Sequence, residues 1–227
     1  MRRAAALAAV GLLSACAGAP VTAPVEPYLA APVATTAPAP APIAIRPMGD
    51  DRRWLAMAHA ELRPGLAAGL FDCALGARLS RAETPALTRL FARIQRDLDA
   101  AGAGRRSIGR LADPCLRASR APIQTWPGRL PALGTAYAAI LARAAPDRAQ
   151  PLQTTGQAIV ESTVLCGLAT PEDAAQAMVL GQAVVDAAAR TPDFEADMTA
   201  ARAEIATVRA SGLTSPACPA ERRALAQ

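Results

Sequence analysis

Residues 84–98 read TPALTRLFARIQRDL. Thr84 stands where a helix N-cap belongs, and Pro85 fits the first helical position, where its missing N–H costs nothing. After it the apolar residues Leu87, Leu90, Phe91, Ile94 and Leu98 recur at three- and four-residue intervals, one stripe of a helix. The same start occurs at Thr170-Pro171-Glu172-Asp173 and Thr191-Pro192-Asp193, where acids in the first turn suit the positive end of the helix dipole. Similar patterns predict helices over 52–62, 64–80, 131–145, 147–166, 171–189 and 192–210. The stretch 103–130, mixing Gly, Pro and Arg, is less regular. No segment alternates as a strand does, and the sequences after the three Thr-Pro starts do not match, which excludes a repeat.

Composition agrees with an all-α reading. The chain has 227 residues, 52% hydrophobic but only 3% aromatic, whereas strands favour aromatic and β-branched residues. Ala supplies 59 positions, so the core must be built from small side chains. The length suits one well-buried domain. All 24 basic residues are Arg, against 19 acids. Without Arg2 and Arg3, which sit in a segment expected to be removed, the excess falls from +5 to +3. Spread along the chain, that is no nucleic-acid footprint. His59 is the single histidine, which rules out any mechanism that needs two.

Residues 1–16, MRRAAALAAVGLLSAC, have the basic start and short apolar run of an export signal, too short to span a bilayer as a mature helix. Leu13-Ser14-Ala15-Cys16 resembles a bacterial lipoprotein box, in which the cysteine is lipidated and becomes the first mature residue. The other reading is an ordinary signal peptide cleaved near Ala17-Gly18-Ala19. Acyl chains on Cys16 would anchor the protein by burying methylenes. Ala17 in place of the retention Asp implies sorting to the periplasmic side of the outer membrane. Residues 17–48 hold eight prolines, which break any helical or strand period. They are expected to form an extended tether, with the folded domain spanning 49–227.

Cys73, Cys115, Cys166 and Cys218 are widely spaced, without a CxxC pair or a nearby His. That speaks against zinc or another metal and for two disulfides in an oxidising compartment. Spacing leaves all three pairings open. No cofactor motif is present.

The stretch Thr125-Trp126-Pro127-Gly128-Arg129-Leu130 runs into LPALGTAYAAILARAAPDRA and then GQAIVESTVLCGLATPEDAAQA. This resembles the bacterial class A non-specific acid phosphatases of the type 2 phosphatidic acid phosphatase superfamily. That family has S-Y-P-S-G-H, a helix with G-W-A, A-P-D-R, and E-S-R-V-V-C-G-V-H-W-x-S-D. The match needs no gap from Thr125 to Ala177. FDCALGARLSRAETPALTRL, 71–90, resembles the family's earlier helices, so the likeness covers roughly 50–220. It implies a single helical-bundle domain of that superfamily. It also implies a Cys115–Cys166 disulfide, with Cys73–Cys218 by remainder.

The family hydrolyses phosphomonoesters through a phosphohistidine. A second His protonates the leaving oxygen, and cationic groups hold the phosphoryl oxygens. Position by position, the leaving-group His falls on Leu130, the nucleophilic His on Ala169 and an Arg on Thr163. Asp173 alone keeps its place. Arg106, Arg110 and Arg129, within a run that includes Arg105, Arg117 and Arg120, are the candidate anion-binding residues. Arg129 could pair with Asp173 and plug the old site, or Asp173 could simply accept backbone N–H bonds near Thr170. The chain therefore reads as a lipid-anchored, phosphatase-like domain that has lost catalysis and binds an anionic ligand or an envelope protein. It could also associate with itself, as family members commonly do. The alternatives are an active phosphatase using Ser162, Thr163 or Asp173, and a helical lipoprotein like the phosphatases only in architecture. Trp54 is expected on the apolar face of the first helix, and Trp126 packed between helices.

Overall fold

A computed structural model describes residues 25–34, 41–44, 49–60, 69–105, 126 and 128–226. Among them are eight helices and no strand. These are α1 (Asp50–Ala60), α2 (Asp72–Leu75), α3 (Pro85–Gly102), α4 (Arg129–Ala144), α5 (Ala149–Leu165), α6 (Pro171–Ala188), α7 (Pro192–Ala210) and α8 (Cys218–Leu225).

Helix α4 is the axis of the bundle. Its buried residues, Leu130 to Leu141, face nearly all round, so it is enclosed rather than amphipathic. Helices α5 and α6 approach it closely because the facing residues are small. A Cβ on Gly156 of α5 would lie 2.6 Å from the Ala138 Cβ, and one on Gly181 of α6 would lie 2.6 Å from the Ala132 carbonyl oxygen. The alanine-rich composition thus becomes short interaxial distances, which recover dispersion contacts that small side chains otherwise forgo. On the other side, α3 presents Leu87, Leu90, Phe91, Ile94 and Leu98 to the core. Each such side chain contributes roughly 1.5–3 kcal/mol of burial. Phe91 stacks on Tyr137 of α4 at 3.9 Å between ring centres, and α7 closes over α3 with Phe194, Met198, Ala201 and Ile205.

Thr170 and Thr191 cap α6 and α7 as expected, accepting the N–H groups of Asp173 at 3.0 Å and Phe194 at 3.4 Å. Thr84 does not cap α3. Its hydroxyl donates to the Ser80 carbonyl at 2.8 Å, and the Glu204 carboxylate of α7 accepts from Ala86 N–H at 2.8 Å and Leu87 N–H at 3.0 Å. The orphan donors of the helix start are satisfied by a charge from another helix.

Three other expectations change. Within 64–80, the described part is helical only around Asp72–Leu75, and Gly76, at φ 76°, stops α2 in the left-handed conformation that favours glycine. Trp54 lies on the open side of α1, 43% exposed. The proline-rich stretch is not wholly a free tether. Tyr28 is buried, with Leu29 and Val33 packed against the main core. Ile43 packs on Val160, Val164, Ala169 and Ala174. Proline density abolishes helix but leaves apolar side chains able to dock, so packing begins well before Gly49.

Cys73 and Cys218 are bonded to each other, tying α2 to α8. Cys166 is also disulfide-bonded, with its partner outside the described residues. The expected partner, Cys115, lies there too.

Candidate functional site

The positions singled out by the phosphatase resemblance fall at the start of α4, the last turns of α5 and the start of α6. At the first of these, Arg129 meets Asp99 of α3 through two bonds, Nε at 2.7 Å and Nη2 at 2.9 Å. The Trp126 indole N–H also points at Asp99, at 3.4 Å. The expected Arg129–Asp173 pair does not form. Asp99 offers both carboxylate oxygens to the planar guanidinium, and that bidentate geometry wins. Asp173 donates its backbone N–H to Thr170, while its Oδ2 is buried with no hydrogen-bond partner among the described residues. Nor, among the described residues, does its carboxylate accept the backbone N–H bonds near Thr170 that the sequence suggests.

Leu130 and Ala169, at the two histidine positions, are buried. Thr163 is fully buried, and its hydroxyl donates to the Val160 carbonyl at 2.6 Å. None of the three offers a nucleophile or acid to a substrate. Arg106, Arg110, Arg117, Arg120 and Cys16 lie outside the described residues. An open cavity of about 620 Å³ borders Asp99, lined also by Val25, Pro27, Ala92, Gln95 and Arg96. Among the described residues its lining holds one carboxylate and one guanidinium, so these supply no excess of positive charge to hold an anion. Arg129 spends two of its nitrogens on Asp99.

A buried polar group sits between α1 and α5, and nothing local in the sequence brings it together. Arg52 pairs with Glu161 in a buried salt bridge. Gln157 Nε2 donates to Glu161 Oε1 at 3.3 Å. Two turns further along α1, His59 Nδ1 lies 2.8 Å from Ser162 Oγ, the residue after Glu161 on α5. Ser162 Oγ is also 2.6 Å from the Ala158 carbonyl. A hydroxyl has one proton. When it goes to Ala158, the imidazole Nδ1–H donates to Ser162 Oγ, which is the wrong direction for a base that activates a serine. Both residues are about 1% exposed, so a substrate has no direct access to the pair. Burial pushes the imidazole down to about 3, the Ala158 carbonyl opposes this, and the Arg52 charge adds to it. The histidine is therefore neutral across the physiological range. A signal was available: Arg52, Leu55, Ala56, His59 and Ala60 form the buried stripe of α1, so a charge and the histidine share its apolar face.

This sets an acid limit on stability. An imidazole near 6.5 in the unfolded chain and near 3 in the fold takes up its proton on unfolding over that interval. Its contribution is complete above pH 6.5 and lost as pH falls toward 3. The urea stability of the wild type minus that of His59→Gln is expected to shrink steadily from pH 7 to pH 4. A difference that stays constant over that range would show that the imidazole is not held neutral.

No family model matches this chain, and no curated protein is significantly similar to it. Among the described residues, no cluster of His, Cys, Asp and Glu could hold a metal ion, and no helix is long and apolar enough to cross a membrane.

Proposed function

We propose that this is an envelope lipoprotein, anchored through Cys16 on the periplasmic side of the outer membrane, whose acid-phosphatase-like helical domain has no phosphomonoesterase activity and serves a binding or structural role. The observation that carries the loss of catalysis is the state of the only histidine. His59 is buried, neutral and hydrogen-bonded between α1 and α5. The positions where the family would have its two histidines carry the buried side chains of Leu130 and Ala169. No imidazole is left to attack phosphorus or protonate a leaving oxygen, and removing such groups eliminates most of an enzyme's rate.

The hydrolase reading has one feature on its side, the 2.8 Å approach of His59 to Ser162. A single assay separates the two. The purified full chain, offered p-nitrophenyl phosphate from pH 4 to pH 9 beside an authentic class A phosphatase, is expected to show no turnover above buffer. Turnover that copurifies with the protein and disappears in Ser162→Ala would overturn the proposal and make Ser162 the nucleophile to pursue.

A further inference from the structure

The short segment around Tyr28 is held more elaborately than a linker needs to be. The Tyr28 and Leu29 N–H groups donate to the two oxygens of Asp97 of α3, at 3.1 and 3.0 Å. The Tyr28 hydroxyl donates to Asp197 of α7 at 2.7 Å. The ring lies edge-on to Phe194, 5.4 Å between centres. The Arg93 guanidinium covers its face at 3.9 Å, while Arg93 Nε donates to the Glu26 carbonyl at 3.0 Å. Arg93 also bonds Asp193 and Asp197, and Arg89 bonds Asp197. Every polar atom of the tyrosine named here is satisfied by a buried or half-buried group of the α3–α7 groove, and backbone and side chain are read together. That is the pattern of a receptor for an extended peptide, with main-chain bonds for affinity and one side-chain pocket for register.

We propose that residues 26–29 are a docking segment for the α3–α7 groove, and that this docking turns the α3–α7 face toward the bilayer that holds Cys16. The orientation rests on the lipoprotein reading; the docking does not. A chain free up to Gly49 could place the domain roughly 110 Å from its anchor, at a maximum of about 3.3–3.6 Å per residue. Docking from Glu26 onward leaves residues 17–25 as the leash, and the same limit shortens the reach to about 30 Å. A leash no longer than the width of a domain of this size, roughly 40 Å, and attached on one face cannot reach round to the opposite face, which restricts the face that meets the membrane.

The lipidated full chain in phosphatidylcholine vesicles with a headgroup-attached quencher tests both parts. Backbone exchange reads the groove. The Tyr28 and Leu29 amides are expected to be protected in the wild type and to exchange about tenfold faster or more when the ring anchor is removed in Tyr28→Ala. Tyr28→Phe, which keeps the ring and loses only the hydroxyl, is expected to fall between the two. A fluorophore at Ala200, exposed on α7, is expected to be quenched more than one at Gln153, exposed on α5, and Tyr28→Ala should abolish that difference. Unprotected amides in the wild type overturn the receptor. Protected amides with equal quenching at the two labels overturn the orientation. A chain that does not stay with vesicles overturns the anchor and the orientation together, while the amides still judge the groove.

Discussion

Replacing Arg52 by Met is expected to lower unfolding stability by about 3–5 kcal/mol, the range seen when one partner of a buried ion pair is removed. Arg52 and Glu161 are both nearly inaccessible, and taking away the guanidinium removes the opposite charge that faces a buried carboxylate. The double variant Arg52→Met, Glu161→Met should be more stable than either single change. Desolvating two charges costs about as much as their attraction returns, so an apolar pair of similar volume can replace them. Chemical denaturation of the four proteins of this cycle gives the coupling directly. Additive losses would mean that the two side chains act independently, and would remove the cluster as the unit that fixes α1 on α5. The double change also withdraws the Arg52 charge, one of the influences that depress His59, so the imidazole should be depressed less and the stability it costs toward acid should be smaller. The same cluster then reads out as stability and as pH dependence.

Local pattern made the helical class and most helix positions legible. The stripe at Leu87, Leu90, Phe91, Ile94 and Leu98 faces the core as written, and the Thr-Pro starts of α6 and α7 begin helices where they stand. What the pattern could not supply are pairings between distant residues. Glu204 caps a helix that begins about 120 positions earlier, at Pro85. Thr84 looks like a cap in the sequence, but nothing local reveals that a carboxylate from α7 takes its place. Tyr28 lies among prolines whose composition says only that no helix forms. Its docking depends on Asp97 and Asp197, which read as ordinary surface acids until α3 and α7 are brought side by side. Arg129 shows the same limit at the candidate site. The resemblance put Asp173 near it, yet Asp99, thirty residues upstream, is its partner. His59 could have been placed on the buried stripe of α1, but its contact with Ser162 lies 103 residues away in sequence.

Removing the second long-range tie, in Cys73→Ala, Cys218→Ala, is expected to cost 2–5 kcal/mol. The bridge spans 145 residues, for which the chain-entropy argument gives an upper value of about 5 kcal/mol. The loss should concentrate on α8, whose buried residues are only Cys218 and Ala224. It should also depend on pH in a direction opposite to that of His59. Burial pushes the Glu221 carboxyl up to about 7, with the Asp72 carboxylate adding to the rise. Burial likewise raises Asp72 to about 6, against the Leu79 N–H and the Arg78 charge. Folded-state values above the unfolded ones mean a contribution that is complete below about pH 4 and lost as pH rises through 6 and 7. At pH 8 both groups are charged at the α2–α8 junction, and the disulfide holds them together against that repulsion. Without it, α8 amides are expected to lose protection more at pH 8 than at pH 5, after correction for intrinsic exchange. Equal loss at the two pH values would show that the carboxylates do not oppose the junction, and that the disulfide acts there through chain entropy alone.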